Sequence, residues 1–223
     1  NFFQFRHTTF HPTWKEGLPM DEKALFKISY GLYLLSARSG EKDNACIINA
    51  LAQVTNQPNR IVAAVNKTSL THDLILETGL FTASILSGDA PFSLFERFGF
   101  QSGRDLDKFA GFSHTAREEN GLVYLTQFAN AYLTGRTVST MDLGTHTLFF
   151  ADFIAGQLLS NVPSLTYEDY FQRVKPAPAP KASGRTGWRC RVCGYIYEGE
   201  TLPPDFVCPW CKHGTADFER IEL

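Results

Sequence analysis

The chain has 223 residues, 43% of them hydrophobic and 20% charged, with a formal net charge of −2 and an isoelectric point near 6.3. This is the composition of one or two ordinary globular domains with a proper core. It carries no basic stripe of the kind that grips nucleic acid. It also has no apolar run near the ~18 residues of a membrane span, and no charged-then-apolar leader at its start.

Residues 1–19 are rich in aromatics and lack a clean period, and they read as an N-terminal extension or leader. His7 and His11 stand four apart, but no Glu or third ligand accompanies them. Met20-Asp21-Glu22 resembles a native start, with Asp21 placed to cap a short helix over 22–29. Three short apolar runs rich in strand formers follow: Leu32–Leu35, Ala45–Ile48 and Arg60–Val65, the last after the turn Asn56-Gln57-Pro58-Asn59. A helix is predicted over Thr71–Glu77 with Gly79 as its stop, then a strand over Leu80–Leu86. Asp89-Ala90-Pro91 opens a second helix through Phe98, ended by Gly99. A polar loop, 101–120, precedes strands near 121–128, 130–140 and 146–159 and a last short helix near 166–173. Strands this frequent, with only a few helices between them, predict a mainly β fold: a closed or nearly closed barrel with helical decoration. No G-x-G-x-x-G occurs, so a nicotinamide would not sit in a Rossmann site.

Residues 176–187 (PAPAPKASGRTG) read as a linker, extended at its Pro-Ala end and flexible at its Gly end. The chain therefore divides into the extension 1–19, a barrel domain 20–175, the linker 176–187 and a small domain 188–223. Residues 187–223 carry four basic and six acidic side chains, leaving the rest balanced at 17 and 17.

The small domain holds Cys190-Arg-Val-Cys193 and Cys208-Pro-Trp-Cys211, separated by 14 residues. Two C-x-x-C pairs at this range let four thiolates converge from two tight turns on a tetrahedral metal. Sulfur of this geometry suits both iron and zinc, and so small a domain needs some metal to fold. With four of five cysteines so committed, no disulfide framework is available, which suits a reducing cytoplasm.

The flanking residues narrow the choice. Cys193-Gly194-Tyr195-Ile196-Tyr197 and Asp205-Phe206-Val207-Cys208-Pro209-Trp210-Cys211, then Asp217-Phe218-Glu219, resemble rubredoxin, in the compact form found at the end of rubrerythrins. The resemblance implies one iron bound by Cys190, Cys193, Cys208 and Cys211 over a core of Trp188, Tyr195, Tyr197, Phe206, Trp210 and Phe218. Lys212 departs from the family, which usually has Gly there. A zinc ribbon that staples the domain is the other reading of the same cysteines.

A second resemblance covers roughly residues 21–172. Asn44–Thr55, Pro58, Val65–His72, Gly79-Leu-Phe81, Gly99–Asp105, Asp107-Lys108-Phe109 and Gly144–Phe149 are similar to the flavin reductase family, the FMN-binding split barrel. It implies an FMN site built from Asn44, Ala45, Cys46, Ile47, Asn49, Asn66, Lys67, Ser69, Thr71 and His146. The residues themselves suit an anion: Asn66, Lys67, Ser69 and Thr71 precede or open a helix, where free N–H groups and the dipole favour a phosphate. The plainer reading makes Ser69 or Thr68 an N-cap and Asn66 a turn residue. Cys46 reads most simply as a small buried hydrophobe, and His146 as a loop or core histidine. No catalytic acid or base is assigned, because hydride transfer to a flavin needs none.

Together the resemblances imply a split β-barrel followed by a rubredoxin-like iron domain. Such a protein would pass electrons from NAD(P)H through FMN to tetrathiolate iron, then to a partner such as a flavodiiron oxygen or nitric-oxide reductase. They also imply a homodimer. The rival readings are a flavin or ferric reductase with a structural zinc ribbon, and a non-redox zinc-ribbon adaptor.

Overall fold

The computed structural model describes residues 21–176, 186–209, 211 and 213–222. The extension 1–19, the His7/His11 pair, most of the linker, Trp210 and Lys212 lie outside the described residues.

A 3₁₀ turn over Glu22–Lys27 stands where a short helix was predicted. The barrel strands are β1 (Tyr33–Ser39), β2 (Lys42–Ile48), β3 (Leu51–Asn56), β4 (Asn59–Asn66), β5 (Leu80–Leu86), β8 (Ala129–Asp142) and β9 (His146–Leu158). A short hairpin, β6 (Thr115–Arg117) with β7 (Val123–Leu125), forms a separate ladder. The seven strands pair antiparallel in the order β2-β1-β5-β8-β9-β4-β3. Only Asn49 and Ala50 separate β2 from β3, which hold opposite ends of that order. The sheet must therefore curl until its ends meet, giving a barrel split between β2 and β3. The turn between β3 and β4 contains a cis Gln57–Pro58 peptide.

Two apolar clusters fill the fold. One, around Leu35, Val65, Ile75, Phe81 and Phe149, lies under the helix α1 (Leu70–Thr78). The other, around Leu34, Leu86, Phe95, Phe98 and Leu125, lies under α2 (Phe92–Phe95) and the segment at Tyr170. Each large side chain so buried contributes roughly 1.5–3 kcal/mol. Gly79 ends α1 at φ 72°, its N–H donating to Ile75 O, as its position predicted.

Several boundaries differ from the sequence reading. The second helix is only Phe92–Phe95, and it runs into a π turn over Glu96–Phe100 that contains Gly99. Gly99 therefore lies inside the π turn, beside the Ile47 side chain, rather than ending a helix. The loop 101–120 includes β6, the strand expected near 121–128 shortens to β7, and Phe128, at φ 65°, sits between β7 and β8. β3 went unread from the residues alone because most of it is exposed, leaving no apolar alternation. At the barrel's end, α3 (Tyr167–Asp169) has a capping box between Thr166 and Asp169 and continues as a π turn over Tyr170–Val174.

The small domain is a three-stranded sheet, β11-β10-β12, from β10 (Thr186–Cys190), β11 (Ile196–Glu198) and β12 (Phe218–Glu222). Trp188, Tyr195, Leu202 and Phe206 pack around Phe218 and the cysteines.

Candidate functional site

β10 delivers Cys190 to the first metal knuckle. Gly194, at φ 87°, lets the chain turn back so that its N–H donates to Cys190 O at 2.9 Å while Cys190 N–H donates to Tyr195 O at 2.8 Å. The second knuckle closes by Cys208 N–H to His213 O, 2.8 Å. The four sulfurs lie within 4.8 Å of one another, and the Cys190–Cys211 and Cys193–Cys208 separations are both 3.5 Å. A tetrahedron with ~2.3 Å metal–sulfur bonds has edges of ~3.8 Å, so the donor set fits a tetrathiolate ion. Hydrogen bonds, first from Cys211 and then from Tyr195 N–H and the other thiols, pull Cys193 down to about 5, while Cys211 is pushed up. Sulfurs this close hold shared protons that a bound cation would replace. Beneath them Phe206 meets Phe218 edge-on at 5.4 Å and Tyr197 at 4.7 Å.

A cleft of about 810 Å³ opens beside this centre. One wall is Cys46, Ile47 and Ile48 of β2 with Asn49 beyond it; another is the segment Phe98–Gly103. Asn66 and His146, paired across β4 and β9, close one end together with Ser69. The third side belongs to the small domain: Cys211, His213 and Gly214.

Six of the ten residues implied for FMN thus line the cleft: Cys46, Ile47, Asn49, Asn66, Ser69 and His146. Three lie behind it. Asn44, 2% exposed, donates Nδ2–H to Thr71 Oγ1 at 2.9 Å, and Ala45 and Thr71 are fully buried. Lys67 points away, its Nζ 2.6 Å from Asp142 Oδ1. Within the cleft, Asn66 Oδ1 accepts from Thr68 N–H and Oγ1–H, both at 2.9 Å, and Ser69 Oγ accepts from Thr71 N–H at 3.2 Å. These two therefore shape the turn and cap α1 as well as line the wall. Burial pushes the Cys46 thiol up, leaving it a neutral small side chain.

Lys108, to which the sequence reading assigns no role, also lines the cleft. It is 4% exposed, and its ammonium donates to Ala45 O and Phe98 O, each at 3.0 Å. No carboxylate pairs with it among the described residues. Burial holds its pKa below the usual lysine range. A buried cation without a counter-ion is costly, so an anionic ligand in this cleft is favoured. Gly103 was likewise without a role: a Cβ there would stand 2.0 Å from Asn44 Oδ1. Arg104, next to it, pairs with Asp73 of α1 at 2.6 Å and, after the hydrogen bond from His72, holds that carboxyl below its ordinary value. Apolar walls, a helix N-terminus and an unpaired ammonium in a cleft of the size that small ligands occupy all fit a flavin.

The Flavin reductase like domain family matches residues 25–176, and the Rubrerythrin, rubredoxin-like domain family matches residues 188–219. The chain is 34% identical over 231 residues to a high molecular weight rubredoxin from Moorella thermoacetica, covering 91% of this chain and 100% of that protein. It is 35% identical to a ferric-chelate reductase (NAD(P)H) from Archaeoglobus fulgidus over 68% of this chain and 89% of that one. An FMN-binding protein from Thermus thermophilus shares the fold, with a TM-score of 0.56 at 19% identity over 86% of this chain and 94% of that one. The chain belongs to the flavin reductase-like family, as an oxidoreductase whose flavin domain is followed by a rubredoxin-like iron domain.

Proposed function

We propose that this protein takes electrons from NAD(P)H and passes them through FMN and the tetrathiolate iron to another protein. The observation that carries the reading is the shared cleft, in which Cys211, a metal ligand, lines the same space as Cys46 and Lys108. FMN, when bound, supplies the conversion of a hydride's electron pair into single electrons. The chain's own residues do the rest. Ser69 and Asn66 set the start of α1 toward a phosphate, Lys108 supplies positive charge at the cleft wall, and Phe100 and Ile47 offer apolar surface to a planar ring. In this reading residues 20–175 are the flavin domain, 176–187 the linker and 188–223 the iron domain.

The acceptor we favour is a flavodiiron oxygen or nitric-oxide reductase, on the resemblance of this domain pairing to donors of that class. A homodimer is supported by the exposed apolar side chains Phe153, Ile154 and Leu158 on β9. Chelated ferric iron is a second acceptor to test, because the Archaeoglobus relative carries that activity in its name.

The test is an anaerobic titration of the purified protein with NADH and with NADPH, read in the visible. Flavin bands and broad thiolate-to-iron bands that both bleach support the reading. Flavin bands with zinc in place of iron would leave a flavin reductase with a structural ribbon. A Cys208→Ser variant that still reduces chelated iron at the full rate would assign that activity to the flavin domain alone.

A further inference from the structure

We propose that Lys175, which belongs to the flavin domain's end, is a charged latch on the iron centre: it holds the first metal knuckle in place and favours the reduced iron. The inference rests on the tetrathiolate-iron reading above and adds a positioning residue to it.

Lys175 follows the π turn Tyr170–Val174, and its N–H donates to Tyr170 O at 2.7 Å. Its Nζ lies 4.9 Å from the Phe171 ring centroid. Beyond that ring the side chain reaches the small domain. A Cβ built on Gly194 would stand 3.2 Å from Lys175 Cε and 3.6 Å from Nζ, so the ammonium lies against the backbone next to Cys193. The same side chain lines an interdomain cleft with Cys190, Cys193 and Tyr195. Cys193 is only 1% exposed.

The charges around Lys175 leave it without a conventional partner. Arg173 pairs with Asp169 and Arg189 with Glu219, while no carboxylate lies within ion-pair distance of Lys175 among the described residues. A half-buried ammonium with no carboxylate needs another anion, and the tetrathiolate is the one at hand. Four thiolates around ferric iron carry a net single negative charge, and around ferrous iron a double one. The reduction forms and breaks no bond: the ferric centre takes one electron, from the flavin domain in turnover or from dithionite in a titration. Lys175 interacts more strongly with the dianion, so it raises the ferrous fraction at a given poise. By linkage, reduction in turn tightens the contact between the two domains. Gly194 serves both ends of this arrangement, since its positive φ makes the knuckle and its missing side chain admits the ammonium.

The experiment is a redox titration of the iron bands in the full iron-loaded chain, comparing wild type with Lys175→Gln and Lys175→Arg. We expect Lys175→Gln to lower the ferrous-to-ferric ratio at fixed poise about tenfold, ~59 mV for a one-electron couple. Lys175→Arg should stay with the wild type, since it keeps the charge. Intact iron bands in Lys175→Gln with an unmoved midpoint would overturn the latch while leaving the iron reading standing. A wild-type protein without tetrathiolate-iron bands would overturn both.

Discussion

Cys46 of β2 and Cys211 of the second metal knuckle line one cleft, although they belong to different domains. The relationship depends on the barrel's split edge. β2 ends the sheet order, so among the described residues its outer side has no strand partner and faces the Phe98–Gly103 segment and the iron domain. A ligand in that space would touch the flavin domain's own wall and the metal's ligand loop at once, which is the arrangement that the proposed electron path requires.

Gly103 controls the wall behind that cleft. Its backbone lies so close to Asn44 that Gly103→Ala must displace the side chain that donates to Thr71. Breaking a buried hydrogen bond of this type costs roughly 1–3 kcal/mol. We expect the variant to bind FMN about tenfold more weakly by fluorescence titration while its far-UV circular dichroism stays that of the wild type. Unchanged affinity would mean that Asn44 and Thr71 have no part in shaping the site.

Lys108 makes a pH-dependent prediction. Burial lowers its folded pKa from 10.5, so between the two values the unfolded chain binds more protons than the folded one. Its contribution to stability therefore rises with pH through that window and levels off above it. The buried tyrosines act the other way: burial raises Tyr170, whose contribution is lost as pH climbs above 10.0. The difference between wild type and Lys108→Met isolates the lysine. The variant should lose the rise on the alkaline side in urea midpoints, and it should be less stable throughout because Ala45 O and Phe98 O lose their donor, at roughly 1–3 kcal/mol per orphaned group. Parallel pH profiles for the two proteins would contradict the assignment.

Removing the metal should unfold one domain and spare the other. Among its described residues the small domain buries few side chains besides Cys190, Cys193, Cys208 and Phe218, so binding energy and folding energy are largely the same quantity there. For Cys208→Ser we expect iron below one-tenth of the wild-type content, proteolysis within residues 186–222, and an unchanged melting temperature for the barrel. Protection of that segment without metal would show that its aromatic core suffices.

In the barrel itself, Gly135 of β8 pairs with Phe81 of β5, and a Cβ on it would stand 2.4 Å from Phe81 Cζ. Phe81 is fully buried and cannot swing aside. Gly135→Ala should therefore cost roughly 1–3 kcal/mol through overpacking. Calorimetry should find Tm lower by roughly 2–4 °C for each kcal/mol in a protein of this size.

What could be read from the sequence follows from how local each signal is. The four cysteines are legible because two knuckles and a fixed spacing are enough to specify tetrahedral sulfur. Ser69 and Gly79 are legible because a helix announces its own ends, and both cap α1 as their positions imply. Lys108 was not, since a lysine in a polar loop normally faces water, and only the folded barrel places its ammonium on two carbonyls. For Lys67 the position before α1 implied a phosphate contact, whereas its pairing with Asp142, at the far end of the long β8, is visible only in the fold. β3 and the π turn over Glu96–Phe100 depend on tertiary packing that no period records.

The central claim, transfer between flavin and iron across the shared cleft, is tested most directly by anaerobic stopped-flow reduction of the FMN- and iron-loaded protein with NADH. The flavin and iron–thiolate bands would be followed separately at several protein concentrations. Flavin bleaching should precede iron bleaching, and the second phase should have a rate independent of protein concentration. An iron phase whose rate grows in proportion to protein concentration, or iron that stays oxidised beside reduced flavin, would contradict it.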